Sequence, residues 1–222
     1  MTAAALPLLS PLEIRVLGVL VEKQLTTPDY YPLSLNALVA GCNQKSSRDP
    51  AMSVGEDEAQ SALDALKERK LVTNSWGASR RVMRYSHNFP QVLDTDPGTT
   101  ALLATLMLRG PQTPGVLRIA CERMYRFADL SSVEGYLEEM AGRPVGALVV
   151  KLPKQPGARE HRWAHLLGGP AGAATAATDP PAMHAGAAAA AGARYEADVA
   201  RLRDEVAELR TMVERLREEI KK

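Results

Sequence analysis

Phenylalanine, cysteine and net charge are all scarce in this sequence of 222 residues. Its 27 lysines and arginines nearly balance 26 aspartates and glutamates, so any surface for nucleic acid has to be local rather than a general basic field. The two cysteines, Cys42 and Cys121, lie far apart without a CxxC or histidine-rich neighbourhood, which argues against a disulfide framework and a zinc site. Both fall on apolar helical faces, where we expect buried, reduced thiols.

Long hydrophobic runs and catalytic motifs are also absent. The opening residues, MTAAALPLLS, lack a basic segment, and their apolar run is too short for a signal peptide or a membrane span, so we expect a cytoplasmic protein. The sequence contains no P-loop, GxGxxG, HExxH or nucleophile elbow. His161 and His165 lie about 13 Å apart on a predicted strand, too far to share a metal ion. We therefore expect neither an enzyme nor a bound cofactor.

Residues 1–90 are predicted to contain three helices followed by a hairpin. Ser10 and Glu13 form a capping box before a helix over residues 11–23, Ser34 precedes a second helix, and a further capping box at residues 53–56 opens a third. The inward face predicted for this third helix consists of Ala59, Ala62, Leu63 and Leu66. The segments LVTNSW and RRVMRYSH predict two paired strands with a basic tip. This order is the plan of a winged helix-turn-helix domain.

The same order repeats in residues 91–168. Asp96 predicts a helix that ends at Arg109, Thr113 precedes a second helix, and a capping box at residues 131–134 opens a third. The apolar face predicted for the second of these helices consists of Val116, Leu117, Ala120, Cys121 and Met124. VGALVVKLP and REHRWAHLL predict a second pair of strands. The repetition predicts a mainly α, α+β protein with two tandem winged-helix domains.

Residues 169–193 form an Ala/Gly/Pro-rich segment that predicts a flexible or partly helical linker. The last segment, residues 194–222, predicts a coiled-coil helix with valine or isoleucine at the a positions and leucine at the d positions. The predicted dimerisation residues are Val199, Leu202, Val206, Leu209, Val213, Leu216 and Ile220. This pattern favours a parallel homodimer, although so short a helix could instead stay single or fold back on its own domains.

A local DNA-binding surface is one interpretation of the first unit. Cations occur before the third helix and on the hairpin, whereas the outer face of that helix is neutral to acidic. The residues predicted to contact double-stranded DNA are Lys45, Arg48, Gln60, Lys67, Arg80, Arg81 and Arg84. Tyr30 and Tyr31, in the loop after the first helix, either pack locally or stack on bases.

In the second unit a modest basic set forms either a phosphate track or scattered solvated charges. These residues are Arg118, Arg123, Arg126, Lys151, Lys154 and Arg159. The preferred hypothesis is a regulatory, DNA-associated homodimer, and the alternative is a module that binds an unknown protein partner without contacting DNA.

Several long motifs resemble the YceH-like family of uncharacterised bacterial proteins. They are LVEKQLTTPDYYPLSLNALVAGCNQKSSRDPAM at residues 20–52, ALDALKERKLV, LRGPQTPGVLR and SSVEGYLEEMAGRP. The resemblance spans roughly residues 10–168 and implies two tandem winged-helix domains. It implies no activity, catalytic residue or ligand.

Overall fold

The computed structural model describes residues 8–76, 82–144 and 146–169, which form one compact α+β unit. The first half contains α1 (Pro11–Thr26), β1 (Leu33–Ser34), α2 (Leu35–Cys42), α3 (Glu56–Glu68), β2 (Val72–Trp76) and β3 (Met83–His87). A short connecting helix, α4 (Phe89–Leu93), leads to the second half, which contains α5 (Pro97–Arg109), α6 (Pro114–Cys121), α7 (Leu130–Ala141), β4 (Val149–Lys151) and β5 (Trp163–His165). The predicted heptad helix and the linker beyond residue 169 lie outside the described residues, so both stay predictions.

The helix starts follow local capping. Ser10 and Glu13 form the expected capping box, because the Ser10 hydroxyl accepts from the Glu13 amide at 3.2 Å and the Glu13 carboxylate accepts from the Ser10 amide at 2.6 Å. Ser34, Asp96 and Thr113 also cap the helices predicted after them.

Two predicted caps are wrong. The N-cap of α3 is Gly55 rather than Ser53, and its amide donates to Glu58 at 2.8 Å. The N-cap of α7 is Asp129, which accepts from the Ser132 amide at 2.7 Å. In both segments two capping patterns overlap within a few residues, and the sequence alone does not decide between them.

Both predicted strand pairs are antiparallel hairpins. β3 lies at the centre of a three-stranded sheet, with Val72 opposite His87 on one side and Leu33 opposite Tyr85 on the other. In the second sheet Val149 pairs with His165. The sequence did not predict β1 or α4, since β1 is two residues long and α4 five, too short for a recognisable period.

Helices α1 and α5 pack against each other at the centre of the unit, so the two halves share one hydrophobic core. Residues 16–21 of α1 and 98–108 of α5 are buried without interruption, as expected for helices that are covered on all sides. Gly18 lets the helices approach closely, because a Cβ at this position would lie 3.0 Å from Leu108 Cδ2. The boundary predicted at residue 90 stays a prediction.

The two tryptophans have different surroundings. Trp163 is buried on β5 beneath the Lys151 ammonium, which lies 5.6 Å from the ring centroid, whereas Trp76 at the end of β2 is 63% exposed. Cys42 and Cys121 are buried free thiols, as predicted, and burial raises the pKa of each to about 11. Among the described residues, no helix combines the length and apolar character needed to cross a membrane.

Candidate functional site

Two of the predicted DNA-contacting residues lie on α3 and interact with neighbours in the protein. The Gln60 amide donates to both carboxylate oxygens of Asp64 at 3.2 Å, and its oxygen accepts from the Tyr85 hydroxyl at 2.8 Å. Lys67 lies 3.4 Å from the same Asp64 carboxylate. Asp64 thus neutralises the single cation predicted to contact DNA from this helix.

The exposed face of α3 is acidic. Ala59, Ala62, Leu63 and Leu66 are buried as predicted, which turns the carboxylates of Asp57, Asp64 and Glu68 toward solvent. Lys67 balances the charge of Asp64, so a duplex approaching this face would bring its phosphates mainly against the carboxylates of Asp57 and Glu68.

Arg48 has a structural role. Its side chain is buried, with the residue 8% exposed, and its guanidinium binds both carboxylate oxygens of Glu22 at 3.1 and 2.6 Å. Its Nε also donates to the Gly41 carbonyl at 3.0 Å. Because these partners occupy the planar fork of the guanidinium, Arg48 could contact a phosphate only by releasing Glu22 and the Gly41 carbonyl.

The remaining predicted cations have different environments. Lys45 is exposed in the turn between α2 and α3. Arg84 lies within β3 rather than at the hairpin tip, and it donates to the Pro32 carbonyl at 2.8 Å. Arg80 and Arg81 lie outside the described residues. Among the described residues of the predicted set, Lys45 is therefore the cation that is exposed and makes no contact with another side chain or carbonyl that would compete with DNA.

The equivalent surface of the second half is acidic as well. A cleft of about 290 Å³ separates α7 from the β4–β5 hairpin, and its lining includes the carboxylates of Glu134, Glu138 and Glu160. Lys151 contributes one cation to the cleft. His161, also in the lining, contacts the Leu152 carbonyl through Nδ1 at 2.9 Å. The carboxylates and His161 of this cleft do not form a metal site, since the described residues contain no cluster of three metal-ligating side chains.

The paired tyrosines after α1 differ in exposure. Tyr30 is exposed, whereas Tyr31 is half-buried and its hydroxyl accepts from the His87 amide at 2.7 Å. Burial raises the pKa of Tyr31 to about 12. Tyr31 thus packs against the first sheet, and Tyr30 remains accessible to a partner.

Comparison with known proteins identifies the family. The family model described as a protein of unknown function, DUF480, matches residues 9–158. The chain belongs to the DUF480 family. A UPF0502 protein of Dechloromonas aromatica is 50% identical to this DUF480-family chain over 215 residues, covering 97% of the chain and 95% of the relative. A UPF0502 protein of Burkholderia multivorans is 52% identical over 222 residues, covering 99% and 92%. The resemblance to the uncharacterised YceH-like family is confirmed.

The exposed apolar side chains of α6 in this DUF480-family chain differ from the prediction. Val116 was predicted to face inward on α6 but is 43% exposed, and Ile119 on the same helix is 74% exposed. Leu117 and Cys121 carry the buried face instead. The sequence contained part of the information needed to predict this exposure, because α6 is only eight residues long and contains more apolar residues than one helix face can bury.

Proposed function

We propose that this DUF480-family chain is a tandem winged-helix protein that binds another polypeptide rather than reading DNA with its third helices. The order of elements supports the winged-helix assignment: three helices precede a hairpin in each half, and β1 extends the first hairpin into a small sheet. In this scheme α3 and α7 are the third helices, and the β2–β3 and β4–β5 hairpins are the wings.

The observation that carries the proposal is the charge of the two third helices. Asp57, Asp64 and Glu68 are exposed on α3, and Glu134 and Glu138 line the cleft beside α7. In water, a carboxylate about 4 Å from a phosphate is disfavoured by roughly 1 kcal/mol. Several such contacts per helix would offset the few favourable cations near them.

Exposed large side chains favour a polypeptide as the partner. Tyr30, Trp76 and Ile119 are each more than half exposed. Aromatic and aliphatic side chains of this kind provide anchors in protein interfaces, whereas duplex DNA offers mostly phosphate and sugar to an approaching protein.

DNA association as a homodimer is the second candidate function. Lys45 is exposed, and the sequence between β2 and β3 contains Arg80 and Arg81. A wing that contacts phosphates in this way would bind DNA without inserting α3 into the groove. The heptads of residues 194–222 would then pair two copies.

The deciding experiment titrates the full chain against a fluorescent mixed-sequence DNA duplex across a series of salt concentrations. We expect no saturable change in anisotropy, even at low salt. Binding that weakens steeply as salt rises, and that decreases in the Arg80→Ala/Arg81→Ala/Arg84→Ala variant, would favour the second candidate. The comparison variant is Arg118→Ala/Arg123→Ala/Arg126→Ala, which removes the same charge from α6 and the residues after it. A larger loss of DNA binding in this variant would place the DNA contacts at α6 rather than on the first wing.

A further inference from the structure

We infer that α6 and residues 122–128 form a docking groove for an acidic segment of a partner protein, with a large apolar side chain seated beside Ile119. This inference rests on the proposed polypeptide-binding function and names the surface and the chemistry of the partner. The groove has a volume of about 540 Å³ and is lined by Arg118, Ile119, Glu122, Arg126, Phe127 and Ala128.

The apolar part of the groove is exposed where a helix usually shows polar side chains. Ile119 is 74% exposed although α6 is packed on its opposite face against α5 and α7 through the buried Leu117 and Cys121. Phe127 contributes to the groove wall and is itself almost fully buried. An accessible aliphatic side chain next to a firmly packed aromatic ring provides a rigid site for one apolar anchor.

The charge of the groove selects an acidic partner. Two exposed arginines, Arg118 and Arg126, line the groove together with one carboxylate, Glu122. Arg123 is exposed next to Glu122 in the sequence but is not part of the lining. Glu122 and Arg126 are 3.8 Å apart with both side chains largely exposed, so this pair leaves the guanidinium accessible. Arg118 donates to the Ala128 carbonyl at 3.4 Å in an exposed contact, and its charge also attracts the nearby exposed carboxylate of Asp129. The cations can therefore turn to carboxylates on a partner.

The position of the isoleucine distinguishes this surface from a phosphate track. A duplex would engage Arg118 and Arg126 but would leave Ile119 against phosphate and sugar, where its apolar surface gains little. An acidic peptide with one large aliphatic or aromatic residue satisfies both parts of the groove. Exposed ion pairs contribute little individually, so the apolar anchor dominates affinity and the arginines determine which sequences bind.

The test selects peptides from a random phage-displayed library on the immobilised full chain. We expect enrichment of peptides that place aspartate or glutamate around a large apolar residue. Synthetic versions of the enriched peptides should lose affinity about tenfold or more for Arg118→Glu/Arg126→Glu, and also for Ile119→Ser. The charge-matched control, Lys154→Glu/Arg159→Glu on the β4–β5 connection, should bind them as the unchanged chain does.

Three outcomes would overturn the groove: no enrichment, enrichment of basic or uncharged peptides, or equal binding by the control and the Arg118→Glu/Arg126→Glu variant. Because the substituted side chains are exposed, each variant should keep the midpoint of thermal unfolding of the unchanged chain. This measurement separates a loss of binding from a loss of folding. If the groove fails while crosslinking of the full chain still captures a protein at another surface, the proposed function survives. If duplex DNA binds at α6 and is lost in Arg118→Glu/Arg126→Glu, both proposals fail.

Discussion

Two buried arginines hold the segment between α2 and α3 from within. Arg15 is 1% exposed and donates to the carbonyls of Cys42 at 3.1 Å and Pro50 at 2.6 Å. Burial, with the nearby charge of Arg48 as a second cause, lowers the pKa of Arg15 below its ordinary value. Arg48 is anchored by Glu22, and the Asp49 amide donates to the Leu108 carbonyl of α5 at 2.8 Å. This polar segment therefore connects the two halves.

Arg48→Ala should lower the free energy of unfolding by about 3 kcal/mol, because it leaves the Gly41 carbonyl without its donor and the Glu22 carboxylate with only the longer ion pair to Lys23 at 3.7 Å. Urea denaturation monitored by circular dichroism measures the difference. Lys45→Ala, three residues earlier and exposed, is the control and should change stability by less than about 0.5 kcal/mol. Equal effects of the two substitutions would contradict a structural role for Arg48.

Two half-buried histidines, each with one ring nitrogen fully buried and without a hydrogen-bond partner, make stability depend on pH. Burial lowers the pKa of His87 and of His165 from 6.5 to about 4. The unfolded chain therefore binds more protons than the folded chain between these values, so the free energy of unfolding falls as pH decreases below 6.5. We expect a loss of roughly 1–2 kcal/mol per histidine by about pH 5.

Urea unfolding at neutral pH and near pH 5 checks this expectation. Glu13 and Asp96 have lowered pKa values, but their contribution is lost only below their ordinary values of 4.5 and 3.8. The neutral variant His87→Gln/His165→Gln should have a nearly flat profile across the same range. An equally steep profile in that variant would assign the pH dependence to other groups.

At the scale of elements, the sequence predicted those helices and strands that are marked by local patterns. The capping residues Ser10, Ser34 and Asp96, together with the apolar periodicity that follows them, predicted where three helices begin. Alternating apolar residues next to turn residues predicted both hairpins. Side-chain partners were not predictable in this way, because Arg48 and Glu22 lie 26 residues apart and no local pattern links them. The candidate surface on α6 was missed for a similar reason: which apolar residues stay exposed depends on how α5 and α7 cover the helix.

The packing of α2 on α1 depends on a glycine. A Cβ at Gly41 would lie 2.6 Å from Val19 Cγ1, and the branched valine side chain has little freedom to move away. Gly41→Ala should therefore destabilise the fold by about 1–3 kcal/mol, measured by thermal or urea unfolding. Gly135→Ala on α7 is the matched control, since its Cβ meets nothing within 4 Å and alanine favours the helix by about 1 kcal/mol. Comparable losses at both positions would argue against the steric explanation.

At the scale of the whole molecule, the two halves depend on each other. The sequence predicts a duplication into two domains with a boundary at residue 90, and the structure adds that α1 and α5, one from each half, are buried against each other. An uninterrupted apolar run such as residues 16–21 is a sign of this burial, because an independent small domain would leave one helix face for solvent. The apolar positions of α1 and α5 were predicted, but the packing of these two helices against each other was not.

The predicted heptads lie in residues 194–222, so we expect the full chain to form a homodimer and the chain without these residues to be a monomer. Sedimentation velocity over a range of protein concentrations measures the change. The full-length variant Leu209→Lys, which introduces a charge at a predicted d position, should dissociate in the same way. An unchanged dimer in both proteins would exclude the coiled coil as the interface.

Because Trp76 is exposed and Trp163 is buried, the intrinsic fluorescence of the two tryptophans can report separately on the two sheets. The sequence contains only these two tryptophans, one at the open end of β2 and one enclosed on β5. Acrylamide should quench the emission of Trp76 readily and that of Trp163 weakly until the second sheet opens. A partner that covers the first hairpin would therefore reveal itself through unlabelled fluorescence, separately from any loosening of the protein interior.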